Sequence, residues 1–204
     1  MRATAASVII FIRHGQTTTN ALRLLVGHSD PELTELGCAQ AVALRPFLVG
    51  VREVWTSPLQ RARATATLAV PSIAATVHGE FIEVDYGHLD GRSISDVSAQ
   101  EWRAFESDHR VALGDGESLA SVDQRVHSSL DELLADRESL LHDHEHHLAI
   151  VSHVSPIKSA MTWALGVPGS VAWRARLDNG SITTITTRQG LPALLHFNMV
   201  PLPG

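Results

Sequence analysis

Arg13-His14-Gly15 sets a guanidinium, an imidazole and a position without a side chain next to one another. Hydroxyls at Thr17, Thr18 and Thr19 and the amide of Asn20 follow at once. A guanidinium fork fits the oxygens of a phosphate, and hydroxyls and amides add neutral donors. A neutral imidazole also carries the lone pair that nucleophilic attack needs. Three more groups of this kind recur along the chain. Arg61 follows Ser57-Pro58-Leu59, three carboxylates (Glu80, Glu83 and Asp85) fall within six residues, and His153 follows Ser152. A carboxyl held beside a phosphate site is a candidate general acid.

The elements that carry these groups look alike. Residues 8–12 are an unbroken apolar run, mostly β-branched, as expected of a strand buried on both faces of a parallel sheet. Residues 51–55 read as a second parallel strand and 148–152 as another short apolar strand, and each stops at polar residues. Open α/β sheets place their ligand crevice at the carboxyl ends of such strands. Pro58 suits the first turn of a helix, which puts Arg61 near a helix N-terminus, where anions are already favoured. The patterning further predicts a helix over 34–48 with Leu36, Ala39, Ala43 and Phe47 on its inner face, and a third strand over 73–77. Helical pattern covers about 92–108, with Trp102 and Phe105 as lid aromatics, then 119 to about 141 after the Gly114–Ser118 turn, and 155–165. An edge strand at 171–174, a tight turn at 177–180 and late strands at 181–187 and 194–200 complete the reading.

Length and composition set the bounds. At 204 residues, 44% hydrophobic and 19% charged, the chain is expected to form one domain over 1–204, without linker or repeat. A net charge of −6 argues against a nucleic-acid or anionic-membrane partner, so any positive field must be local. Cys38 is the one cysteine, which excludes an internal disulfide and fits a reducing cytoplasm. No stretch has the length of a signal-peptide core or a bilayer span. The tract His142-Asp143-His144-Glu145-His146-His147 is dense in metal-ligand types. Contiguous ligands rarely build a metal site, so a solvated loop is the expectation.

The longer strings are specific. Arg13-His14-Gly15-x-Thr17-x-x-Asn20, then Ser57-Pro58-Leu59-x-Arg61-Ala62-x-x-Thr65-Ala66, Glu83-x-x-Tyr86-Gly87 and Ser152-His153 resemble, in order, the motifs of the histidine phosphatase superfamily, also called phosphoglycerate-mutase-like. The resemblance implies a three-layer α/β/α domain with a mostly parallel central sheet of about six strands. It also implies a metal-independent phosphomonoester hydrolase that needs no cofactor. His14 would form a phosphohistidine intermediate, Arg13, Arg61 and His153 would surround the phosphoryl oxygens, and Glu83, chosen over Glu80 and Asp85 on the motif spacing, would act as acid and then base. Asn20, with Gln16 and Thr17, would add phosphate-binding donors. Gly116-Glu117-Ser118 makes Ser118 a further substrate-binding candidate, with helix capping as the competing explanation. The chain departs from the pattern at Leu89-Asp90-Gly91, where members often carry Trp-Glu-Gly, and at Val154, where they commonly carry glycine. The expected partner is a small phosphorylated metabolite, and a homodimer is left open. Three alternatives remain: a phosphoglycerate mutase, a non-catalytic phospholigand-binding module on the same fold, and a histidine-rich metal-binding protein.

Overall fold

The chain is described by a computed structural model that covers residues 8–136, 147–188 and 191–202. Its strands are β1 (Val8–Arg13), β2 (Val51–Thr56), β3 (Thr76–Val77), β4 (His147–Ser152), β5 (Ile182–Arg188) and β6 (Leu191–Met199). They form one sheet in the order β3-β2-β4-β1-β5-β6. The first four strands in that order run parallel, while β5 pairs antiparallel with both β1 and β6. The helices are α1 (Thr18–Ala21), α2 (Glu35–Ala43), α3 (Gln60–Ala69), α4 (Ala99–Ser107), α5 (Leu119–Asp136) and α6 (Val154–Leu165).

Alternation along the central strands divides the core. Phe11, Leu148 and Ile150 join Val126 and Leu130 of α5 and Ile157 and Ala160 of α6 on one face. Ile10, Ile12, Ala149 and Val151 join Leu44 and the α3 alanines Ala62, Ala66 and Ala69 on the other. Burying each large apolar side chain this way is worth about 1.5–3 kcal/mol. Because both faces are covered, neither strand has a polar side to interrupt it. That is why β1 and β4 read as continuous apolar runs.

Several elements differ from expectation. The helix expected over 34–48 starts after Thr34, whose side chain accepts the Gly37 N–H, but it stops at Ala43. Pro46 offers no N–H and its ring would strike the turn before it, so a 3₁₀ turn at Arg45–Phe47 takes over. Its buried face holds Gly37, Ala41 and then Leu44, whereas Leu36 and Phe47 are nearly half exposed. The β3 strand is reduced to two residues. The stretch 92–108 breaks into a 3₁₀ turn (Ile94–Asp96) and α4, because Ser93 and Ser98 each cap a new helix start. Phe105 packs with Leu25, Leu89, Val97 and Leu113 in a small separate cluster, against which Trp102 rests. Residues 169–174 form a 3₁₀ helix rather than a strand, entered from Pro168 after Gly166 ends α6 in a left-handed turn. The tract 142–146 and the far end of the helix expected to about 141 lie outside the described residues.

Candidate active site

Strand register brings the chemistry to one level. Arg13 pairs with Ser152, the His14 N–H donates to Ser152 O at 3.0 Å, and the Ser57 N–H donates to Val151 O at 3.0 Å. The residues just past β1, β2 and β4 therefore emerge together at the carboxyl end of the sheet.

His14 is almost fully buried, 3% exposed, and its ring is oriented from both sides. Nδ1 lies 2.7 Å from Gly15 O, so Nδ1 carries the proton and donates it to that carbonyl. Nε2 is left with its lone pair, and it receives the Arg61 Nε–H at 3.3 Å. The tautomer that an attacking imidazole requires is thus set by the chain's own next carbonyl. The turn holding it is itself fixed, because the Gly15 N–H donates to Thr65 Oγ1 at 3.1 Å.

Arg61 is wholly buried, and each of its other two guanidinium nitrogens also donates one hydrogen bond. Nη1 donates to Ser29 O at 2.7 Å and Nη2 to Gly27 O at 2.8 Å, with an Asp30 carboxylate oxygen 3.5 Å from Nη1. Charged hydrogen bonds of about 1.5–3 kcal/mol each offset a desolvation cost of several kcal/mol. The two carbonyls are presented by Asp90, which accepts from the Gly27 N–H (2.9 Å), the Ser29 N–H (2.5 Å) and the Ser29 hydroxyl (2.8 Å). Partial burial would raise the Asp90 pKa, but these donors outweigh it and hold the group below the usual carboxylate range. The N-terminus of α3, expected to favour a phosphate, is instead taken by Asp30, which accepts from the Gln60 and Arg61 N–H groups.

The other predicted residues gather around His14. Arg13, His14, Asn20, Glu83, Tyr86 and Val154 line a cleft of about 150 Å³. Arg13 Nη1 donates to Leu177 O at 2.6 Å, while its buried Nε has no partner. Asn20 Oδ1 accepts from the Thr17 N–H, the Thr17 hydroxyl and Asn179 Nδ2, which fixes the amide orientation and leaves its nitrogen as the free donor. Glu83 is 5% exposed and caps α6: Oε1 accepts from the Val84 and Ser155 N–H groups at 2.9 and 3.1 Å, and Oε2 from Val154 at 3.1 Å. His153 is fully buried, its ring 5.0 Å from that of His14. Its Nε2 lies 2.7 Å from Ser57 Oγ, and its Nδ1 has no partner.

Both histidines are held neutral. Burial first, then the charges of Arg61 and Arg13, push His14 well below its ordinary value, against an opposing contribution from the Gly15 carbonyl. Burial, then His14 and the same arginines, do likewise to His153. Burial also lowers Arg13 to about 10, with Glu83 and Asp178 opposing, so it stays cationic at neutral pH. A lowered pKa extends the neutral form toward acid. In ¹⁵N-resolved spectra His14 is therefore expected to keep its Nδ1–H tautomer as the pH falls from about 8 to about 6. Titration of that ring at 6.5, its ordinary value, would contradict the assignment.

Other candidates sit elsewhere. Gln16 ties the turn to α2, its N–H bonded to Gln40 Oε1 and its Oε1 accepting from Thr34. Thr17 closes a capping box with Asn20 and is fully buried. Ser118 bonds to Ser121 at the start of α5 and does not line the cleft. Glu80 lies in a 3₁₀ turn facing His78 and is about half exposed, and Asp85 accepts the Gly87 N–H. Sequence reasoning missed Asn179, which donates to both His14 O and Asn20 Oδ1. It also missed Arg125, which grips Glu117 with two nitrogens at 2.9 Å and reaches the carbonyls of Glu80 and Glu83. Neither announces itself locally, since each acts across a large sequence separation.

Residues 9–200 match the sequence model of the histidine phosphatase superfamily (branch 1). The chain belongs to that superfamily. Among curated members, it is 30% identical over 183 residues to a bifunctional protein of Mycobacterium tuberculosis, covering 86% of this chain and 49% of that one. The chain thus spans about half the length of those relatives. It is also 30% identical over 188 residues to a protein of Yersinia pestis named as a probable phosphoglycerate mutase, covering 87% of this chain and 83% of that one. Among solved histidine phosphatase structures, a variant phosphoserine phosphatase of Entamoeba histolytica in complex with phosphoserine superposes with a TM-score of 0.84. It is 27% identical, with 94% and 96% of the two chains covered.

Proposed function

We propose that this histidine phosphatase hydrolyses a small phosphomonoester through a phosphohistidine formed on His14 Nε2. The observation that carries the reading is the His14 ring itself, with its proton fixed on Nδ1 by Gly15 O and its Nε2 lone pair facing Arg61. Nε2 attacks phosphorus as the ester P–O bond breaks. Arg13, Arg61, His153 and the Asn20 amide nitrogen offset the charge spread over the phosphoryl oxygens. Glu83 protonates the departing oxygen, then takes a proton from the water that attacks the phosphohistidine and releases phosphate and neutral His14.

A mutase shares the site, and the Yersinia relative's name keeps that reading in view. A mutase must hold an intermediate that still carries phosphate while excluding water. Here the segment beside the cleft is small: one nine-residue helix, α4, and a five-residue buried cluster. That favours hydrolysis. Purified protein is expected to release phosphate from a panel of phosphomonoesters with a chelator present, and to be inhibited by orthovanadate, which adopts the five-coordinate geometry of transfer. Strict dependence on added Mg²⁺ or Zn²⁺ would falsify the mechanism. Interconversion of 2- and 3-phosphoglycerate outpacing hydrolysis would select the mutase.

A further inference from the structure

A second pocket of about 70 Å³ adjoins the catalytic cleft, and Tyr86 and Val154 line both. Its other walls come from the ends of α4, α5 and α6 and from the 3₁₀ helix Gly169–Arg174. They are largely apolar, with Phe105, Leu119, Val122 and Trp173 among them.

Three polar groups lining it are unspent: Lys158, His109 and Ser159, whose buried hydroxyl has no partner among the described residues. Lys158 is largely buried, and its ammonium has no hydrogen bond and no ion pair among the described residues. Among the described residues, its close partner is the ring of Trp173, 5.9 Å from Nζ to the centroid. His109 lines the same pocket with its Nε2 buried and unpartnered, while its Nδ1 lies 3.5 Å from Asp123. The Asp123 carboxylate also lines the pocket, but His109 and His127 (3.9 Å) bracket it. Taking an ammonium out of water without a counter-charge is costly, and an anion arriving beside it recovers that cost. Burial first, and then Arg13, already lower the Lys158 pKa, with Glu83 opposing, so this ammonium senses the catalytic groups.

We propose that this pocket is the leaving-group subsite, in which Lys158 pairs with a carboxylate carried a few atoms from the scissile phosphate. The inference rests on the phosphatase reading for the phosphate's position, and it names the substrate class: short phosphorylated acids. One lysine ammonium matches a single negative charge, and the Asp123 carboxylate in the same lining disfavours a more highly charged group, which together favour a carboxylate over a second phosphate. The volume of about 70 Å³ accommodates a short chain ending in a carboxylate. The apolar walls suit the methylenes between the two anions.

The test uses a non-hydrolysable pair, 4-phosphonobutanoate and its terminal amide, titrated calorimetrically into the full chain. In parallel, hydrolysis of the matched phosphate esters and of p-nitrophenyl phosphate is measured. The acid is expected to bind about tenfold or more tightly than the amide. In Lys158→Met that ratio should fall close to one, and in Lys158→Arg most of it should return. Equal affinity for acid and amide in the wild type, or an unchanged ratio in Lys158→Met, overturns the subsite. The wild-type ratio decides even if a variant does not fold. Carboxylate preference without hydrolysis of any ester would leave the subsite standing and overturn the phosphatase reading instead. Hydrolysis without preference would do the reverse.

Discussion

Replacing His14 with alanine is expected to lower kcat by on the order of 10⁴-fold or more, because the nucleophile and its covalent intermediate disappear together. The fold should survive. His14 lies past the end of β1, and among the described residues its ring bonds only to Gly15 O and Arg61. Even so it is buried, so its loss leaves a small void and deprives Arg61 Nε of its acceptor. A penalty of about 1–2 kcal/mol, or a few degrees in Tm, is the expectation. The decisive readout is covalent. Brief exposure to a radiolabelled ester followed by denaturation should trap acid-labile, base-stable label in the wild type and none in the variant. Equal label in both would move the nucleophile elsewhere, with His153 the first suspect.

Glu83→Gln should produce the second largest effect, and one that depends on the substrate. Proton donation to a leaving alkoxide is typically worth about 10²–10⁴ in rate, whereas p-nitrophenolate departs readily without a proton. Phosphorylation of His14 by an alkyl phosphate should therefore fall by about that factor, and by far less with p-nitrophenyl phosphate. The carboxylate's position at the start of α6 adds a complication. Its two oxygens accept three backbone N–H groups, so an amide must turn its NH₂ toward at least one donor and lose a cap bond. That structural cost falls equally on both substrates, and the ratio of the two rates isolates the acid. Measurement in the burst phase is essential, because loss of the base for water would slow dephosphorylation of either phosphoenzyme. An equal drop for both substrates in that phase would leave Glu83 as a cap alone and direct attention to Asp85.

Local signals carried much of this site into the sequence. Arg13, His14 and His153 stand at the ends of apolar runs, and such runs mark the centre of a doubly covered sheet. What stayed hidden is what depends on the third dimension. The partner fixing the His14 tautomer is a backbone carbonyl, which no residue type advertises. Asp30 caps α3 from a loop elsewhere in the chain, so the helix N-terminus that reads as open to an anion is already filled, and Glu83 caps α6 in the same way. Asp90 reads as a departure from the family pattern, yet it holds both carbonyls that grip Arg61. The inner face of α2 was misjudged because hydrophobicity pointed to Leu36 and Phe47. What docks there is a glycine against a glycine-bearing turn.

That last contact constrains how this protein can change. A Cβ built on Gly15 would lie 2.2 Å from Gly37 O, and one on Gly37 would lie 2.1 Å from Gln16 O. The obstacle in each case is main chain. An overcrowded core is commonly relieved by trimming the neighbouring side chain, but the atoms struck here are main chain and cannot be trimmed. Suppressors of a change at either glycine would have to shift the whole of α2 away from β1, carrying with it the Thr34 and Gln40 bonds to Gln16. Genetic selection should thus find no revertant that works by trimming a side chain at this contact. The same tightness makes the junction a shared folding event, since the turn bearing His14 reaches its final shape only when a helix some twenty residues further along has docked.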